Sequence, residues 1–190
     1  MNASTVATHR QLILADLLAR PVAAQVFADP NRPILASLIA GRCCGAGVLP
    51  AHLGLSPAAL AQLWADYFPG GKTFLPPQTL NETPERQDII DLLLAHRAGQ
   101  YPSEFWLANI VATACAGNEH LWRDLGLADR GELSRLLFNA FPALARQNTG
   151  DMKWKKFIYR LYCARDGVYV CPAPSCRECI DHANCFAPEE

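Results

Sequence analysis

The chain has 190 residues, of which 51% are hydrophobic and 18% charged, and its formal net charge is −1. This length and composition suit one domain with a real hydrophobic core and exclude an intrinsically disordered acidic or basic protein. A net charge near zero gives no overall pull toward nucleic acid or a membrane surface, so neither is expected as a partner.

In chain order the sequence reads as helical nearly throughout. Residues 9–28 place Leu12, Leu14, Leu17, Leu18, Val22 and Val26 at roughly helical spacing, with Pro21 as the expected break. An apolar helix over residues 34–42 follows the Asp29-Pro30 turn, and residues 45–55 read as a Gly/Pro loop. Ser56-Pro57 offers an N-cap hydroxyl and a proline at the first helical position. The helix it opens carries Leu60, Leu63, Trp64 and Tyr67 and stops at Pro69-Gly70-Gly71. Residues 70–83 predict a long internal loop.

Thr83-Pro84 starts the next helix, with Ile89, Ile90, Leu93 and Leu94 at helical spacing. Ser103 opens another through Phe105, Trp106, Ile110 and Val111, ending near Gly117. Short helical pieces are expected over residues 121–125 and 132–141. Asp151 stands where it can cap a last helix containing Trp154, Phe157, Ile158, Leu161 and Tyr162. Beyond Gly167 regular structure should fade, because Pro172, Pro174 and Pro188 crowd the cysteines. No alternating strand pattern and no internal repeat is present. The expected fold is all-α: a single helical domain over residues 1–166, with an irregular cysteine-rich metal-binding tail over 167–190 as part of the same domain. No apolar run approaches the ~20 residues that span a bilayer. Residues 1–10 lack the basic-then-apolar pattern of a secretion signal, so a cytoplasmic location is expected.

Eight cysteines in a reducing compartment call for an explanation other than disulfides. Cys43 and Cys44 are adjacent, Cys115 and Cys163 stand alone, and Cys171, Cys176, Cys179 and Cys185 form one run, C-x4-C-x2-C-x5-C. Soft thiolates at such intervals suit an iron–sulfur cluster or zinc. Zinc knuckles normally use two short pairs set apart, whereas a single compact run looks more like iron–sulfur ligation. On spacing alone zinc stays in play, as does a thiol redox function.

Several stretches carry a more specific likeness. Residues 151–160, Asp-Met-Lys-Trp-Lys-Lys-Phe-Ile-Tyr-Arg, lead to Cys163 and the four-cysteine run ending at Cys185-Phe186. Upstream stand His96-Arg97, Ala114-Cys115-Ala116-Gly117, the segment His120-Leu121-Trp122-Arg123-Asp124-Leu125-Gly126-Leu127 with Arg130, then Phe141-Pro142-Ala143-Leu144-Ala145 and Asn148. Together these resemble the NifQ family of nitrogen-fixation proteins; residues 49–55 and 67–70 do so more weakly. The Cys43-Cys44 pair is not part of the likeness. The resemblance implies a molybdenum–iron–sulfur cluster and delivery of molybdenum for the iron–molybdenum cofactor of nitrogenase. It also implies, as partners, the nitrogenase iron protein and the cofactor-assembly scaffold complex.

Cys171, Cys176, Cys179 and Cys185 are the expected metal ligands. A cubane of three irons and one molybdenum takes three thiolates for iron and other ligands for molybdenum, so further residues have a place. Cys163 and Cys115 are candidates, against the alternative that each is a packed thiol. His96 and His120 could meet the cluster or molybdate through neutral imidazole; the competing readings are a helix C-cap for His96 and a satisfied turn for His120. His182, inside the cysteine run, could replace a thiolate or tune the cluster, against the expected reading as an exposed tail residue, and His9 and His52 are taken as surface or packing residues. Lys153 and Lys156 share a helix face with Arg160, with Lys155 pointing elsewhere. That basic face suits an anionic cluster, a molybdate ion or an acidic partner. No nucleophile–base pair, phosphate-cradling glycine loop or HExxH motif is present, so a binding and delivery protein is expected rather than a turnover enzyme. The competing functions are a zinc-stabilised interaction module and an iron–sulfur electron carrier.

Overall fold

A computed structural model describes residues 3–70 and 84–165. The internal loop expected over 70–83 thus falls almost wholly outside the described residues, as does the cysteine-rich tail with Cys171, Cys176, Cys179, His182 and Cys185. Among the described residues there are ten helices and no strand: α1 (Ala3–Ala19), α2 (Ala24–Phe27), α3 (Arg32–Cys43), α4 (Pro57–Tyr67), α5 (Pro84–Ala95), α6 (Ser103–Cys115), α7 (Leu121–Asp124), α8 (Arg130–Ala140), α9 (Pro142–Ala145) and α10 (Trp154–Arg165). The all-α expectation holds over this region. None of the described helices is long and apolar enough to cross a membrane.

Local chemistry sets most helix boundaries. Pro21 lies just beyond the end of α1, as expected from its missing N–H. Ser56 Oγ accepts from Ala59 N at 3.2 Å and caps α4. Asp129 Oδ1 does the same for Glu132 N at 2.8 Å, which starts α8 at Arg130 rather than 132. Asp151 does not take the capping role the sequence suggests. It sits at φ +48°, and its carboxylate accepts Arg130 Nη2 at 2.8 Å. A tertiary ion pair has taken the side chain that local sequence assigned to a helix end.

α6 is the centre of the core. Trp106, Leu107, Ile110, Val111, Ala114 and Cys115 are buried along it, and α4, α5, α7 and α8 pack around it. α1 packs on α3, and α10 packs on α5. Arg32 joins the first two of these to α4: its buried guanidinium donates to the carbonyls of Leu17, Leu18, Arg20 and Tyr67. Those carbonyls lie where α1 and α4 run out of intrahelical partners, so one cation satisfies the ends of two helices. Tyr67 is fully buried, gives its hydroxyl to Asp29 Oδ2 at 2.6 Å, and stacks edge-on against Trp106.

The loop between α3 and α4 carries a buried histidine. His52 is 7% exposed, and its Nδ1 accepts from Gly54 N at 3.1 Å, so the ring is neutral with its proton on Nε2. Burial first, and then the positive charge of Arg86, lower its pKa below the ordinary 6.5. A depressed folded-state pKa contributes stability that is present above the unfolded value and lost as pH falls through the folded one. We expect the melting temperature to drop as pH is lowered from about 6.5 toward 5. His52→Gln should flatten that part of the curve; an unchanged slope in the variant would place the acid sensitivity elsewhere.

Candidate functional site

The segment His120–Leu127, singled out in the sequence, is where three parts of the fold meet. His120 occupies the N-cap position of α7, and its carbonyl accepts from Arg123 N and Asp124 N at 2.8 and 3.0 Å. One turn on, Asp124 points inward and is 1% exposed. Its carboxylate accepts Glu119 N at 3.2–3.3 Å and pairs with the ammonium of Lys155 from α10. The same ammonium donates to the Gly117 carbonyl at 2.9 Å, at the end of α6. The backbone carbonyl of Asp124 accepts Val48 N at 2.9 Å, which ties in the loop after α3.

Glycines make this crossing possible. A Cβ on Gly117 would overlap the Asp124 carboxylate, and one on Gly41 would overlap the Gly126 carbonyl. Gly47, at φ +77°, brings its Cα so close that a Cβ would lie 2.6 Å from the Asp124 carbonyl oxygen. The α3 end, the α6–α7 turn and α10 therefore close on one aspartate without side chains in the way.

Cys115 lies in the same neighbourhood. It is fully buried at the end of α6, and burial pushes its thiol up to about 12; Lys155 pulls the value down and Asp124 pushes it up. In this arrangement Cys115 packs as a neutral thiol, and a metal would need it deprotonated.

The other expected residues are more dispersed. His96 follows α5 and caps it, with Nδ1 2.8 Å from the Leu92 carbonyl. Cys163 is half-buried in the last turn of α10, next to Tyr162, whose hydroxyl reaches Asp88 Oδ2 of α5 at 3.4 Å. Lys153 and Lys156 are half-buried at the start of α10, and Arg160 is exposed. Among the described residues, no group of three or more His, Cys, Asp and Glu is arranged to hold a metal ion.

Sequence reasoning missed the pairing of Lys155 with Asp124. A signal for it existed: Lys155 stands three and four positions before Ile158 and Tyr159, both buried, so it lies on the inward side of its helix. A lysine there needs a counter-charge. Nothing in the sequence said which acid would supply it.

Fold and site together define an all-helical protein whose core, through a buried ion pair, fixes the helix that leads toward the cysteine run. The NifQ family model matches residues 34–187, and the chain belongs to that family of nitrogen-fixation proteins. It is 44% identical over 160 residues to Protein NifQ of Azotobacter vinelandii, an alignment covering 76% of this chain and 82% of that one. Protein NifQ of Rhodobacter capsulatus is 41% identical over 159 residues, covering 82% and 87%. Protein NifQ of Klebsiella pneumoniae is 44% identical over 81 residues, covering 42% and 48%. No solved structure matches the chain.

Proposed function

We propose that this protein carries a molybdenum–iron–sulfur cluster as cargo and donates molybdenum for assembly of the nitrogenase iron–molybdenum cofactor. The observation that carries the reading is the extent of the family match. It runs through residue 187 and so includes the whole C-x4-C-x2-C-x5-C run as well as His96, Cys115, His120 and α10. The donor set suits the cargo: Cys171, Cys176, Cys179 and Cys185 supply soft thiolates for iron, with one more than three irons of a cubane require. Its recipients on this reading are the cofactor-assembly scaffold complex and the nitrogenase iron protein, in the cytoplasm.

The buried Asp124–Lys155 pair supports delivery in a physical way. It fixes α10 against the core while the ligands follow in sequence, so the donor set is attached to a rigid base. The test is metal and sulfide analysis of the protein purified without oxygen. Molybdenum, iron and acid-labile sulfide in a fixed ratio, with the molybdenum transferable to the scaffold complex, is the expected result. A single tightly held zinc with no labile sulfide would make the protein a zinc-stabilised interaction module instead. A cluster that exchanges electrons but releases no molybdenum would make it an electron carrier.

A further inference from the structure

The net charge of −1 conceals an asymmetry. Residues 128–165 hold eight Lys and Arg against three Asp and Glu. Lys155 is buried on Asp124, but others of the set gather on one surface of α8 and α10. Along α8 the exposed positions Gly131, Arg135 and Phe138 recur at i, i+4 and i+7 and so share a face. Trp154 of α10 donates Nε1–H to Ser134 Oγ of α8 at 3.1 Å, and its ring meets that of Phe138 edge-on at 6.2 Å. Arg130 Nη2 binds the Asp151 carboxylate and reaches the Met152 carbonyl at 3.5 Å, while Arg160 Nη1 lies 3.4 Å from the Met152 sulfur. Two guanidiniums thus flank one residue. Arg135 Nη1 stands 3.8 Å from the position of a Cβ on Gly131, so it lies back along α8 toward Arg130. Beside these cations Phe138 is 49% exposed.

We propose that this α8–α10 face docks an acidic protein surface, with Phe138 as its apolar anchor, and that the docked protein is the one that receives the molybdenum. An exposed aromatic with a charged rim is the anatomy of a protein interface. The excess of cations over carboxylates on the rim supplies steering and orientation. A nucleic acid fits less well: the chain's net charge is −1, and the cations of this face stand round an exposed aromatic and not along a continuous basic stripe. Reach also favours the assignment. α10 ends at Arg165 and Cys171 is six residues on, so about 20 Å of extended chain at most separates the docking helix from the first thiolate. The proposal rests on the delivery reading for its cargo, but its test is binding and not metal content.

The test measures association of the full-length, anaerobically purified protein with the scaffold complex and, separately, with the nitrogenase iron protein. Binding to at least one of them at low salt, falling steeply by about 0.3 M NaCl, is expected. The charge reversals Arg135→Glu and Arg160→Glu should each weaken it about tenfold or more, and Phe138→Ala should weaken it at any salt. Melting temperature and Mo:Fe:S ratio should stay at the wild-type values, since neither arginine is buried. No binding to either protein, or binding that both reversals leave unchanged, overturns the proposal. So does duplex DNA that binds more tightly and loses its affinity in the same variants. Loss of the delivery reading would appear differently, as an altered metal ratio in the wild-type protein.

Discussion

Replacing Asp124 by alanine is expected to cost about 3–5 kcal/mol of folding stability, the usual penalty for breaking one half of a buried ion pair. Lys155 is only 12% exposed, and its ammonium would keep the Gly117 carbonyl but lose its counter-charge. Glu119 N would lose its acceptor at the same time. For a chain of this size, the loss should lower the melting temperature by about 10 °C. Lys155→Met should also destabilise, because it strands a carboxylate that is 1% exposed without its cation, even though the Glu119 N–H still donates to it. The double variant Asp124→Asn, Lys155→Met removes both charges of the pair, so it should recover part of what either single change loses. Amide exchange adds a spatial readout: residues 154–165 should open more easily than α6, since the pair holds α10 and α6 has its own apolar core. A loss below about 1 kcal/mol for Asp124→Ala would mean that Lys155 swings into solvent and the pair does not hold the helix.

Where the sequence was readable, the reason was local. Ser56-Pro57 announced α4 because capping and proline geometry act within one turn, and Leu60, Leu63 and Tyr67 then fell on its buried side. Pro21 ended α1 for the same kind of reason. The start of α1 at Ala3 was not readable, because Ala3 to Thr8 carries no apolar periodicity. Asp151 was misread because its local signal was sound and a partner 21 residues away took the side chain. The same limit hid the core of the site. Lys155 and Asp124 are 31 residues apart, and no spacing rule links a position in α10 to the end of a one-turn helix. Arg32 is a further case: four carbonyl partners from two helices cannot be inferred from an arginine before a proline. The proposed thiolate run, by contrast, is a short-range pattern of the sequence and lies outside the described residues. Molybdenum came from the family resemblance and not from spacing.

On the proposed delivery reading, replacing Cys176 or Cys179 by alanine should abolish the visible iron–sulfur absorption, while Cys115→Ala should leave it intact. The contrast follows from what a thiol must do to bind metal. It has to lose its proton and turn toward a site shared with other ligands. Cys115 is fully buried in α6 with its thiol held near 12, so ionising it at neutral pH in its present setting costs several kcal/mol. Ligation would also require opening the packed end of α6, where Gly117, Asp124 and Lys155 close over one another. Removing its sulfur should therefore cost about 1 kcal/mol of packing and no iron. Cys176 and Cys179 form the one CxxC pair of the run, the two thiolates closest in sequence, so loss of either breaks the pair on which a compact cluster site depends. Cys163, half-buried on the last turn of α10, separates the two cases: it is anchored to the helix that Lys155 fixes, yet it is the described thiol nearest in sequence to the run. If Cys163→Ala keeps iron but loses molybdenum, the fourth metal is bound where the rigid helix ends, and α10 is part of the cargo site. If Cys115→Ala loses iron as Cys179→Ala does, the α6 end must open on loading, and the Asp124–Lys155 pair would then have to break with it.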